Sequence, residues 1–131
     1  MISKIALGTV QFGIDYGINS TGGQVELSEV IKILNYACSH NIELLDTAPN
    51  YGNSEKILSK VKTQGFKIVT KTRHFDQISI SDKEADLLAK DFNQSLKSLK
   101  KESVYGVLIH NADDLLKPGS DKIFKQLQTL K

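Results

Sequence analysis

The sequence predicts an α/β chain of parallel strands joined by helical crossovers, and three observations predict it. Short apolar runs rich in Ile, Leu and Val alternate with longer stretches of helical periodicity. Successive runs lie too far apart for a hairpin turn, so parallel pairing with right-handed crossovers is required. Hydrophobic residues make up 40% and charged residues 24% of the chain, a globular balance rather than a disordered or membrane one. Two architectures satisfy this pattern, an open doubly wound sheet and part of a (β/α)-barrel, and periodicity does not separate them.

The first strand is Lys4-Ile5-Ala6-Leu7, ending at Gly8. Val30, Ile31, Leu34, Ala37 and Cys38 then fall at spacings of three and four, the mark of one helix face, with Cys38 expected as a buried, inert thiol. Ile42 to Leu45 form the second strand, ending at Asp46. Ser54 is placed to cap a short helix carrying Ile57, Leu58 and Val61, which Gly65 would stop. Lys67 to Thr70 form the third strand, ending at Lys71. Ser81-Asp82-Lys83-Glu84 fits a capping box, with Leu88, Phe92, Leu96 and Leu99 following at helical spacing. Val104 to Ile109 form the fourth strand, ending at His110, and Ser120 or Asp121 opens a last helix with Ile123, Phe124, Leu127 and Leu130.

The 131 residues and 14.5 kDa suit one domain, residues 1–131, able to bury roughly two-thirds of its surface. Lys and Arg total 17 against 15 Asp and Glu, a net charge of +2 that is too mild for a nucleic-acid partner. No apolar stretch is long enough to span a bilayer, and Met1 leads into Ile-Ser-Lys rather than a signal region. The single cysteine fits a reducing cytoplasm. Three scattered histidines, with no cysteine or carboxylate at ligand spacing, do not support a metal site. Gly22-Gly23 reads as a flexible turn rather than a phosphate cradle.

Ligands of parallel α/β folds sit at the carboxyl ends of the strands, where the loops converge. Those ends carry Asp46, Lys71 and His110, and Tyr51 joins them from the loop after Asp46. This set is suited to proton transfer. An ordinary phenol, with a pKa of about 10, holds its proton too tightly for work at neutral pH, and an ammonium within about 4–6 Å favours the phenolate. A lysine among apolar strand residues needs a carboxylate to stay charged, which Asp46 can supply. His110 can polarise a carbonyl oxygen beside the tyrosine hydroxyl. Each residue also has a structural reading: Asp46-Thr47 as a helix cap, Tyr51-Gly52-Asn53 as a turn, Lys71 as a solvated strand end, His110-Asn111 as a loop pair. Asp15 and Tyr16 could line a pocket or form a turn, while Arg73 and His74 read better as a solvated loop than as an anion grip.

The run Asp46-Thr47-Ala48-Pro49-Asn50-Tyr51-Gly52-Asn53-Ser54-Glu55 resembles the signature of the aldo/keto reductase family. Val69-Thr70-Lys71-Thr72, Leu108-Ile109-His110 and Leu7-Gly8-Thr9 with Phe12-Gly13 resemble its other strand motifs. Gly8 to Ile18 is similar to a bacterial branch often associated with polysaccharide biosynthesis. The resemblance implies the amino-terminal half, four βα units, of a TIM (β/α)8 barrel. It further implies a reductase of aldehydes or ketones using NADPH, with NADH as the alternative. Tyr51 would be the proton donor, Lys71 its tuning partner, Asp46 the partner of Lys71, and His110 the residue that orients the carbonyl. Gly8, Thr9 and Asp46 match positions near the nicotinamide and its ribose. Ser59 stands where the family often has glycine, and Ser103-Val104-Tyr105-Gly106 replaces an acidic-aromatic lead-in, a departure that bears on substrate branch.

A complete barrel of this kind needs about 250 residues, and the family's grip on the cofactor's phosphates and adenine lies in its second half. The last helix runs into Gln128-Thr129-Leu130-Lys131 without a stop signal, so a half-barrel truncated at its carboxyl end is expected. Its open strand edges predict self-association, and the alternative to an enzyme is an inactive half-barrel or interaction module.

Overall fold

The computed structural model describes residues 4–18 and 22–131; Met1 to Ser3, on which the reading of a signal region rests, lie outside the described residues. Four parallel strands form one sheet: β1 (Ala6–Gly8), β2 (Leu44–Asp46), β3 (Lys67–Lys71) and β4 (Gly106–Leu108). Their order in space is their order in the chain, and all pairs are parallel. A doubly wound sheet would reverse direction from its first strand, whereas a barrel adds each strand beside the last. The sheet is therefore half of a (β/α)8 barrel. The strands are shorter than the apolar runs: β1 begins at Ala6 and β4 spans Gly106–Leu108.

Helix α1 (Val10–Gly13) is one turn inside the first βα loop, too short to leave a periodic signal. Helices α2 (Leu27–Ser39), α3 (Ser54–Leu58), α4 (Asp82–Leu99) and α5 (Asp121–Thr129) follow, with a 3₁₀ turn over Ala112–Leu116. The helix-facing side of the sheet carries Leu45, Ile68 and Thr70, all 4% exposed or less. Leu45 and Ile68 pack with Phe12, Val30, Leu34, Leu58 and Leu99, while a second cluster joins Phe75, Ile80, Leu88 and Ile123 under α4 and α5. The opposite side is the barrel interior, and there Ala6, Gly8 and Leu108 are exposed.

Three expectations are corrected. Cys38 is exposed, because the buried stripe of α2 is Val30, Leu34 and Ala37, and Cys38 and the 44%-exposed Ile31 lie on its flank. Ser54 is the first helical residue rather than the cap of α3; Asn53 holds the cap position and makes no side-chain capping bond. Gly65 does not stop that helix, which ends at Leu58; with φ of +89° it turns the chain into β3. The capping box of α4 is present, with the Ser81 N–H donating to Glu84 Oε2 at 2.9 Å.

Candidate active site

The register of the sheet brings the candidate residues together. Asp46 pairs with Val69 and Lys71 with Leu108, so the ends of β2, β3 and β4 form one rim. Lys71 reaches across it, with Nζ 2.7 and 2.6 Å from the two Asp46 carboxylate oxygens, 3.2 Å from the Thr47 carbonyl and 3.2 Å from Tyr51 Oη. An ammonium has three protons. Four oxygens share them, and because an ammonium can only donate, Tyr51 Oη accepts from Lys71 and its own proton is free to point elsewhere. The Lys71 side chain is 13% exposed, and its pairing with Asp46 offsets the cost of keeping a charge there.

His110 follows β4, and its ring meets that of Tyr51 edge to face, with centroids 5.9 Å apart at 81°. The main-chain N–H of His110 donates to Thr72 Oγ1 at 3.2 Å, which fixes the loop to the chain just after Lys71. Burial, and then the Lys71 ammonium, hold the imidazole below its ordinary pKa of 6.5, more than Asp46 and Asp114 raise it. His110 Nδ1 is buried, and among the described residues it has no hydrogen-bond partner. A neutral ring has one N–H, and leaving a donor orphaned is costly, so the proton belongs on Nε2.

Of the positions matched to a cofactor, Gly8 is open: a Cβ built there meets nothing within 4 Å. Asp46 keeps a 31%-exposed side chain at the rim. Thr9 differs. It is fully buried, with Oγ1 donating to the Asp46 carbonyl at 3.0 Å, and Ser54 Oγ lies 2.9 Å from its carbonyl and 2.8 Å from its hydroxyl. With Thr47 Oγ1 3.2 Å from Ser54 Oγ, these hydroxyls form a floor beneath the site, and Thr9's main chain is committed too, its N–H donating to the Asp46 carbonyl and its own carbonyl accepting from Phe12.

Several supporting contacts join segments whose meeting the sequence does not reveal. A Cβ on Gly13 would sit 1.7 Å from the Tyr51 carbonyl oxygen, and Gly52 has φ of +56° against Ile14 and Gly13. The first loop and the Tyr51 loop therefore interlock through two glycines. Behind His110, the fully buried Asp114 accepts from Lys117 Nζ at 2.7 Å and from the Phe75 N–H at 3.3 Å, with His74 Nδ1 also at 3.3 Å. Burial alone would raise this carboxyl, but the Lys117 and Phe75 bonds hold it below the usual range. Arg73 pairs with Asp91, so neither Arg73 nor His74 is simply solvated. Tyr16 and Asp15 are exposed in the first loop, where the Tyr16 carbonyl accepts from Gln11 at 2.8 Å. A cleft of about 440 Å³ lined by Pro49, Asn50, Arg73, His74, Asp76 and Asp91 adjoins the loops bearing Tyr51 and Lys71. Among the described residues, no three His, Cys, Asp or Glu come together to hold a metal, and no helix is long and apolar enough to cross a membrane.

The model of the aldo/keto reductase family matches residues 4–131. Among solved structures, a protein of Pseudomonas aeruginosa described as an aldo-keto reductase is 28% identical with a TM-score of 0.79, covering 99% of this chain and 51% of its own. An aldo-keto reductase of Bacillus halodurans, in its holo form, has a TM-score of 0.69 at 17% identity, a likeness of fold, over 99% of this chain and 42% of its own. The chain thus spans about half the length of these structures. No curated protein matches it.

Proposed function

The chain belongs to the aldo/keto reductase family, and from that premise we propose that it serves the reduction of an aldehyde or ketone to an alcohol, with Tyr51 giving the proton. The observation that carries this reading is the Lys71 ammonium bridging Asp46 and Tyr51 Oη at the mouth of the sheet. Because Oη accepts from Lys71, the phenolic proton is left to donate to a substrate oxygen. As it departs, the negative charge left on Oη faces an ammonium 3.2 Å away. His110 Nε2, carrying the ring's one proton, donates to the same substrate oxygen and aligns the carbonyl. Solvent then returns a proton to Tyr51.

When bound, NADPH, or NADH in its place, would supply the hydride to the carbonyl carbon. The open face above Gly8 and the rim carboxylate of Asp46 fit its nicotinamide end, and the buried Thr9 would support that rim from below rather than touch the cofactor. The substrate we read as a polar, hydroxyl-bearing carbonyl compound, in keeping with the polysaccharide-associated branch that Gly8 to Ile18 resembles. The mixed-charge cleft along Asn50, Arg73, His74 and Asp76 supports that reading. We place the reaction in the cytoplasm, where the free thiol of Cys38 would stay reduced.

Replacing Tyr51 by Phe removes the proton and little else. Carbonyl reduction should fall by a factor of about 10² or more, while NADPH binding, followed by cofactor fluorescence, should persist. Turnover retained in the variant would refute the role of Tyr51. A second reading, an inactive half-barrel that self-associates, is favoured by the exposed interior residue Leu108 at the sheet edge. Absence of saturable NADPH binding by this chain would decide for it.

A further inference from the structure

Glu55 lies four residues beyond Tyr51, in the first turn of α3, and is only 6% exposed. Among the described residues no cation pairs with it. Its Oε1 instead accepts a hydrogen bond from Thr70 Oγ1 at 2.9 Å, and Thr70, 1% exposed, immediately precedes Lys71. From α4, the buried Ser95 hydroxyl has no hydrogen bond of ordinary geometry, yet lies near enough to the Glu55 carboxyl to help hold its charge. Burial still pushes that carboxyl's pKa up. An unpaired buried carboxyl is costly, and an apolar side chain would fill the same space more cheaply. Its use must then lie in what it fixes.

What it fixes can be traced as a closed circuit. From Tyr51 the main chain runs to Glu55, from Glu55 across 2.9 Å to Thr70, along one peptide bond to Lys71, and from Lys71 Nζ across 3.2 Å back to Tyr51 Oη. Two non-covalent links close it. One is the lysine–tyrosine contact itself, and the other is the Glu55–Thr70 bond. Strand side chains alternate, so holding Thr70 against the helices also sets how Lys71 leaves the strand toward the interior. We propose that Glu55 is a positioning residue that clamps β3 to α3 through Thr70 and thereby sets Lys71 against Tyr51. Its consequence for catalysis rests on the reading of Tyr51 as proton donor; its consequence for geometry does not.

The test uses the full chain labelled with ¹³Cζ-tyrosine, in which the Tyr51 resonance is identified among the four tyrosines by its loss in Tyr51→Phe. Glu55→Ala should shift that resonance, whereas Glu55→Gln, which keeps the acceptor oxygen, should leave it in place. A resonance unmoved in a folded Glu55→Ala protein overturns the proposal. So does an equal shift in the Ala and Gln variants, since the hydrogen bond would then not be what Tyr51 feels. Should Glu55→Ala fail to fold, Thr70→Val decides in the same way: a shifted resonance, restored in Thr70→Ser, supports the clamp, and an unmoved one overturns it. In carbonyl reduction, Glu55→Ala should lower kcat roughly 10- to 100-fold, the scale of a small misplacement of reacting groups, with KM unchanged and Glu55→Gln restoring the rate. A loss confined to KM overturns the proposal. Failure of the unaltered chain to reduce any carbonyl would count against the proposed function alone, because the resonance measurement stands without it.

Discussion

The role proposed for His110 requires a neutral ring, donating from Nε2 with Nδ1 unprotonated in its buried place. Burial, Lys71 and His74 depress its pKa, and Asp46 and Asp114 oppose them to a lesser degree. The sign of the consequence follows from proton counting. Between the unfolded value of 6.5 and the lower folded one, the unfolded chain binds the proton that the folded chain refuses, so stability falls as pH falls through that window. An imidazole NMR titration should find the His110 midpoint below 6.5, and His110→Gln should remove that part of the acid sensitivity of urea unfolding. A midpoint above 6.5 would contradict this account. At this scale the candidate residues were readable because strand ends in a parallel sheet select them by position. Their supports were not, because Gly13 meets Tyr51, Ser54 meets Thr9 and Thr70 meets Glu55 only after folding brings distant segments together.

At the scale of elements, α4 shows why some features can be read from a sequence and others cannot. Its capping box is local, three residues from Ser81 to Glu84, and the structure contains it. Ser54 has the same residue chemistry before an apolar run, yet its hydroxyl is drawn away to Thr9, and Asn53 takes the cap position. Cys38 fails for a related reason: spacing gives a face its direction but not its width, and the buried stripe of α2 ends before it. Because α4 supplies Leu88 and Leu99 to the two cores and Ser95 to the Glu55 pocket, its amino-terminal cap should matter to the whole chain. Ser81→Ala should lower stability by about 1 kcal/mol, as loss of an N-cap hydroxyl does. The midpoint of denaturant unfolding should fall with its slope unchanged, and an unchanged midpoint would show that the cap contributes nothing here.

For the whole molecule, the sequential order β1-β2-β3-β4 decides between the two architectures that periodicity left open, and it also creates a problem. A closed barrel has no edges, whereas this sheet presents β1 at one side and β4 at the other, with no further strand paired to either among the described residues. Ile5, beside β1, is 65% exposed and Leu108, in β4, is 52% exposed. Beside β4, a groove of about 390 Å³ is lined by Val104, Tyr105, Val107, Leu127 and Leu130. Among the described residues, Leu108 and this groove are left accessible. Two copies related by a two-fold axis could pair β4 of each with β1 of the other, keeping every strand parallel and completing eight. Sedimentation of this chain across a dilution series should therefore show a mass rising above 14.5 kDa toward twice that value. Leu108→Lys, which puts a charge on the uncovered interior face, should weaken the association without unfolding the helix-side core. A monomer at every concentration, or a dimer indifferent to Leu108→Lys, would mean that the open edges are not what the chain uses to pair.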